Sequence, residues 1–277
     1  MEREEYSRRH VHMTSARLLH LFLAASVAAI SQGQVRSVLE RIDETRRVLR
    51  EFNNDLPNFT CEQLTRRFQG TNRLVDWRQL DQVTADMIYL RGEEHVTNIR
   101  VNNQPAGKGA FKSGAWAGGD YGLVQFHVLA RATHARFTSM KTTSYAGRPA
   151  VRFAYVVIKE ASEWEIDYAG QRITPAYEGH IWIDAETSRP LRIEMQARDL
   201  PLSYPLKLAE KTVDYGIINV AGRDLLLPVS STNSVCHRAF TACARNETEF
   251  HKYRQFTAES VLTTTDSTLT FPKQKAK

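Results

Sequence analysis

The sequence predicts a mainly β chain with some helix (α+β): one large, curved, antiparallel sheet with a few helices placed on it. Three observations predict this. An amphipathic stretch of helical period ends near residue 57, and from there the hydrophobic period is close to two. Short turn sequences separate the strand-like runs, which makes hairpins and therefore antiparallel neighbours. No linker, low-complexity stretch or internal repeat divides the chain. With 42% hydrophobic and 25% charged residues among 277, the composition is that of a globular chain that buries a sizeable core without metals or many disulfides.

Residues 1–31 read as a signal peptide and residues 32–277 as one domain. Leu18 to Ile30 is an apolar run interrupted only by His20 and Ser26. It is shorter than the ~20 residues that span a bilayer. Arg17 precedes it and Ser31-Gln32-Gly33-Gln34 follows it, the layout of a secretory leader cut after Ala29 or Ser31. Met13 is a better start than Met1, because Glu2, Glu4 and Glu5 do not suit the basic region of a leader. The alternative is an uncleaved N-terminal anchor. Either way the expected location is the periplasm or outer envelope of a bacterium, with no transmembrane segment in the mature chain.

Val35 to Phe52 is the clearest helix, with Val38, Leu39, Ile42, Val48, Leu49 and Phe52 on one stripe and Arg and Glu opposite. Asn53-Asn54-Asp55-Leu56-Pro57 stops it. Strands follow over Phe59 to Phe68, around 83–89 and over Val96 to Val101. Residues 105–119 are Gly-rich and weakly patterned, a loop or a mobile lid. Asp120 is placed to cap a short helix through Leu129. Strand-like runs then come near 135–144, 149–159, 163–169, 178–184, 190–197, 209–220, 224–232 and 247–264. Leu191, Ile193, Met195 and Ala197 alternate with Arg192, Glu194 and Gln196, and Trp164, Ile166 and Tyr168 with Glu163, Glu165 and Asp167. Val151 to Ile158 is apolar on both faces, which suggests a central strand.

The net charge of +6 falls to about +5 once residues 1–31 are removed. The densest basic cluster, Arg36 to Arg50, is interleaved with acids. That is a solvated helix face rather than a nucleic-acid grip. The three cysteines are Cys61, Cys236 and Cys243. The last two bracket a short segment between strands and are the first choice for a disulfide, worth about 2–3 kcal/mol; Cys61 bridging to one of them is the competitor. Neither the cysteines nor His95, His127, His134, His180, His237 and His251 have zinc-ligand spacing, so no metal is expected. Asn58-Phe-Thr and Asn246-Glu-Thr match the glycosylation pattern. No nucleophile elbow, phosphate loop or HExxH occurs, and no catalytic residue or cofactor is assigned. The aromatic residues are the better lead. Phe126, Phe137, Phe153, Tyr155, Trp164 and Trp182 are candidates to line an apolar cavity on the concave face of the sheet.

One segment, Tyr177-Glu178-Gly179-His180-Ile181-Trp182-Ile183-Asp184-Ala185-Glu186-Thr187-Ser188-Arg189-Pro190-Leu191-Arg192-Ile193-Glu194, resembles a hairpin of the outer-membrane lipoprotein carrier and receptor superfamily. The resemblance implies a half-barrel with helices over its concave side, enclosing a cavity for acyl chains. The chain also looks like a group of uncharacterised exported bacterial proteins with the same Leu56-Pro57-Asn58-Phe59-Thr60-Cys61 start and Tyr253 to Ser260 end. The expected function is a non-catalytic envelope protein that binds a lipid or another apolar ligand. The alternatives are an interaction module of the envelope with a filled core and, third, a secreted enzyme.

Overall fold

The structure is a computed structural model that describes residues 38–53, 56–71, 76–107, 109–110, 115–116, 120, 122–256 and 269–270. The expected signal peptide, the glycines at 114, 118 and 119, and most of the chain beyond Phe256 lie outside them. The chain divides into two compact units, Met1–Asp43 and Glu44–Lys277. The sheet belongs to the second.

Helix α1 (38–53) lies where the helical period places it. Within the second unit Thr45, Val48 and Leu49 are buried. Arg47 is exposed and pairs with Glu44 and Glu51, one turn to either side. Such pairs add a few tenths of a kcal/mol each, so it is the buried stripe that fixes the helix.

The strands are β1 (Phe59–Gly70), β2 (Arg78–Leu90), β3 (Glu93–Val101), β4 (Gln104–Pro105), β5 (Arg136–Tyr145), β6 (Arg148–Val157), β7 (Ile166–Tyr168), β8 (Gln171–Ile173), β9 (Ala176–Asp184), β10 (Pro190–Arg198), β11 (Leu206–Val220), β12 (Arg223–His237), β13 (Cys243–Gln255) and β14 (Leu269–Thr270). Helix α2 (Leu123–Leu129) lies between β4 and β5. Twelve strands form one antiparallel sheet in the order β14-β3-β2-β1-β13-β12-β11-β10-β9-β6-β5, with β4 beside β3; β7 and β8 make a separate hairpin. The two edges do not pair with each other, so the sheet stays open rather than closing into a barrel. Four hairpins turn through Arg91-Gly92, Ala146-Gly147, Ala169-Gly170 and Ala221-Gly222, each with both φ positive, the two-residue geometry that matches strand twist.

The order has a consequence. The chain starts mid-sheet at β1 and reaches one edge at β3. It then resumes at β5 on the opposite edge and meanders back until β13 pairs with β1. The described residues between 106 and 135 contact one face of the sheet from β2 to β9. Their contacts follow the strand order. Ala106 packs on the Val83, Ala85, Val96 and Ile99 cluster of β2 and β3. The Ala110 carbonyl meets Arg67 of β1, the Ala115 N–H meets Asn246 of β13, Asp120 meets Lys211 of β11, and the His127 carbonyl meets Tyr177 of β9.

Cys236 and Cys243 are bonded across the β12–β13 hairpin, and Cys61 is buried and takes no part in that disulfide. The structure corrects three expectations. Strand β6 is next to the edge strand rather than central, and Ile158 beyond it is 58% exposed. Only 166–168 of the run around Trp164 is strand, and its acids Glu165 and Asp167 are held by Arg172. Helix α2 has Gly122 at its N-cap, with no side-chain cap. Asp120 faces Lys211 instead, because a buried ammonium needs a carboxylate more than a short helix needs a cap.

Asp184 explains the recurrent hairpin sequence. Its Oδ1 accepts the N–H groups of Glu186 and Thr187 at 3.0 and 2.8 Å, and its Oδ2 the Arg148 Nε at 2.6 Å. Burial alone would raise its pKa, but these bonds hold it below the usual carboxylate range. The Ile-Asp-x-x-Thr pattern is thus a side-chain-closed turn.

Gly179 of β9 is the most tightly packed of the described glycines. A Cβ there would collide with the Glu194 carbonyl oxygen and lie 3.0 Å from the Tyr155 hydroxyl, whereas at Gly216 it would meet only Val229 Cγ1, at 2.9 Å. Replacing Gly179 by Ala should lower stability by about 1–3 kcal/mol, and Gly216→Ala by clearly less. Urea denaturation of both variants checks this; equal losses would refute the close approach at Gly179.

Candidate functional site

Each strand has one face toward the crossing and one away from it. On the covered face, cross-strand neighbours form a row. Asp81 faces Arg67, which faces Asn246, then Asn233, Lys211, Met195, Gly179, Tyr155 and Phe137. The next row runs Val83, Thr65, Thr248, Ser231, Val213, Ile193, Ile181 and Phe153. Both rows are polar in the middle of the sheet and apolar toward β5. The polar half meets the crossing backbone. Arg67 binds Asp81 through Nε and Nη2 at 2.6 and 2.5 Å and gives Nη1 to the Ala110 carbonyl at 2.8 Å. The Asn246 Oδ1 accepts the Ala115 N–H at 3.3 Å. Lys211 Nζ lies 2.5 Å from the Asp120 carboxylate, both groups being nearly fully buried. Tyr215 and Tyr177 donate to the Asp120 and His127 carbonyls at 3.4 and 2.6 Å. Arg46 of α1 donates to the Leu129 carbonyl at 2.7 Å.

This polar half is not fully satisfied. Among the described residues, Ser231 Oγ, Asn233 Oδ1, Asn246 Nδ2 and His127 Nδ1 are buried without a hydrogen-bond partner. Each such atom costs about 1–3 kcal/mol.

The open face carries the cavity. A groove of about 660 Å³ is floored by Thr212, Thr232 and Ser234. Glu178, Glu194, Glu210, His180 and Gln196 line one side, and Trp77 and Arg245 the other. The floor follows from register: His180, Glu194, Thr212, Thr232 and Glu247 are successive neighbours, as are Glu178, Gln196, Glu210, Ser234 and Arg245. Arg245 lies 5.5 Å from the Trp77 ring and pairs with Glu247. A third row bounds the groove with a tight knot. The Tyr145 hydroxyl donates to Asp214 at 2.5 Å, Arg192 donates to Asp214 and Glu194, and Ser230 donates to Asp214 at 2.9 Å. Arg152 and Arg192 lie 5.7 and 5.8 Å from the Trp182 ring. The Tyr145 hydroxyl is raised above its usual pKa, first by burial and then by the Asp214 hydrogen bond.

The six aromatic residues do not converge on one lining. Phe137, Phe153 and Tyr155 share the covered face, Phe137 and Tyr155 with ring centres 6.0 Å apart. Trp164 packs edge-on against Tyr177, 5.7 Å away. Phe126 is on α2 and 41% exposed. Trp182 is in phase with His180 and Glu178, on the open face. Sequence reasoning passed over Lys211, Asn233 and Trp77, and read Asp120 as a helix cap and Asn246 as part of a glycosylation match. A signal was present for three of them. Lys211 is in phase with Ala209, Val213 and Tyr215, Asn246 with Phe250, and Asn233 with Val235, so each is polar at an apolar position.

No family profile matches the chain, and no curated protein matches it. Among solved structures, a DUF1329 family protein from Desulfovibrio piger is similar over 80% of this chain and 94% of its own, with 11% identity and a TM-score of 0.38. MucB, solved in complex with MucA(peri), is similar over 79% of this chain and 99% of its own, with 11% identity and a TM-score of 0.21. Likenesses of this size carry no argument about function.

His127 offers a direct test of the covered face. Burial, and then the charge of Lys211, lowers its pKa to about 4. In the unfolded chain it protonates near 6.5. Between these values the unfolded state binds more protons, so stability present at neutral pH is lost as the pH falls from 6.5 to 4, by about 3 kcal/mol in full. His127→Gln should remove that slope, read from denaturant midpoints across pH 4–7. An unchanged slope would place His127 in water.

Proposed function

We propose that the chain is a non-catalytic, exported binding protein that receives its partner on the open face of the sheet. The observation that carries this reading is the contrast between the faces. The covered face is occupied by the chain's own crossing segment, while the open face keeps a groove of about 660 Å³ floored by hydroxyls. Export is supported by the leader-like run Leu18 to Ile30 and by the Cys236–Cys243 bond, which persists in oxidising compartments. Glu178, Glu194 and Glu210 line the groove beside Arg245, and Arg198 and Arg192 at its margin pair with Glu178 and Glu194, so a cationic segment would exchange with these arginines. Charge complementarity therefore favours a cationic segment of an envelope protein. A lysine-rich octapeptide should bind by calorimetry at low salt and weaken as salt rises. The Glu178→Gln, Glu194→Gln, Glu210→Gln triple variant should bind at least about tenfold more weakly. Absence of binding to the unmodified protein at low salt would refute the reading.

A second reading, an acyl chain or other apolar ligand under the crossing, rests on the lipoprotein-carrier resemblance and one observation. From β10 to β5 the covered face is apolar, with Ile193, Ile181, Phe153, Tyr155 and Phe137 side by side. It predicts that native mass spectrometry of protein taken from its own envelope detects bound lipid. Repeated lipid-free spectra would end it.

A further inference from the structure

The groove on the open face has two unlike ends. Glu178, Gln196, Glu210, Ser234 and Arg245 all line it and are successive cross-strand neighbours from β9 to β13. Carboxylates therefore stand along the β9 to β11 part, and Arg245 stands at the β13 end beside Trp77. Four strand spacings separate Glu178 from Arg245, about 19 Å, which is the reach of about six extended residues. An arginine in a groove that receives cations repels them, so its presence needs a reason. The Arg245 guanidinium is held in place: its Nη2 donates to Glu247, and it lies 5.5 Å from the Trp77 ring. Its Nε is buried and has no hydrogen-bond partner, although the side chain as a whole is 33% exposed.

We infer, resting on the reading of the groove given above, that its occupant is the C-terminal end of a basic segment, with the terminal carboxylate on Arg245 and the cations toward Glu210, Glu194 and Glu178. A carboxylate supplies the acceptor that Nε lacks, in the charge-assisted form that a guanidinium fork favours. The main-chain carbonyl of a segment passing through would offer a single neutral acceptor and would have to continue past Trp77. Glu210 lies two strand spacings from Arg245, about 10 Å, so the residue about three positions before the terminus comes beside it. Ser234 lies between the two, and Thr212 and Thr232 stand in the neighbouring row, so hydroxyls face the backbone of the segment. A basic C-terminus is negative at its end and positive behind it, the reverse of the groove from Arg245 to the glutamates.

The test uses the full chain and two N-acetylated lysine-rich octapeptides of one sequence, one ending in a free carboxylate and the other in an amide. By calorimetry at low salt the acid should bind at least about tenfold more tightly. Diffuse attraction to the glutamates gives the opposite order, because the amide carries one more net positive charge. Arg245→Gln should bring the two peptides to equal affinity while binding stays salt-dependent. Arg245→Lys keeps the charge and loses the fork, so it should retain only part of the preference; it serves alone if Arg245→Gln does not fold. Equal affinities for the unmodified protein, or tighter binding of the amide, would overturn the C-terminal assignment and leave the groove a site for a cationic segment. A full preference surviving in both Arg245 variants would overturn the role of Arg245. If neither peptide binds, the reading of the groove falls and this inference falls with it.

Discussion

The rest of this structure depends on how the backbone of residues 106–135 is satisfied. A connection usually runs over the surface because a buried loop carries N–H and C=O groups that need partners. Here the chain leaves the sheet at β3 and rejoins it at the opposite edge, so the connection has to lie across a face. A wholly apolar face would leave that backbone unbonded. The sheet instead presents Arg67, Asn246, Lys211, Tyr215 and Tyr177 along the path, and each of them contacts the crossing segment.

That solution shapes what the protein can bind. A face built to hold a polar backbone is a poor container for a hydrocarbon over half its width. Only the part from β10 to β5, beyond the pinning groups, is greasy. The crossing also brings buried charges. Lys211 with Asp120 and Arg67 with Asp81 are stable as pairs and expensive to break, because the survivor of either pair would be a buried, unbalanced ion. The Lys211–Asp120 pair and the Arg67 bond to the Ala110 carbonyl tie the connection in place, while Arg67 with Asp81 joins β1 to β2. The open face has no such duty. Its side chains are placed by strand register, with Glu194 paired to Arg192 and Glu178 to Arg198 at the margin of the groove.

Much of the fold was legible in the sequence. The period of two, the X-Gly turns and the helix ending before Pro57 gave strands β1 to β3, β5, β6 and β9 to β12 near their true positions, whereas the run expected over 247–264 begins inside β13 (Cys243–Gln255) and ends outside the described residues. Strand order was not legible, because hairpins fix only sequential neighbours and the pairing of β1 with β13 is non-local. The covered polar row was half legible. Lys211, Asn233 and Asn246 break the apolar phase of their strands, yet a single polar residue in an apolar phase says only that it is buried, not what it binds. The aromatic candidates were misgrouped by the same arithmetic. Phe153 and Tyr155 share one parity and Trp182 takes the other once β6 and β9 are placed in register, so residues that read as one cluster stand on opposite faces.

A single-layer sheet also joins its two faces more closely than a two-layer core would. Tyr155 rises from the covered face, passes over Gly179 and donates its hydroxyl to the Glu194 carbonyl at 2.6 Å. The Glu194 side chain lines the groove on the other side and binds Arg192, which holds Asp214 and with it Tyr145 and Ser230. One backbone carbonyl thus belongs to the interior while its own side chain belongs to the binding face. The absence of a side chain at residue 179 lets the two meet. The aromatic packing under the crossing and the charge arrangement of the groove therefore share one strand, β10, and its position is set from both sides.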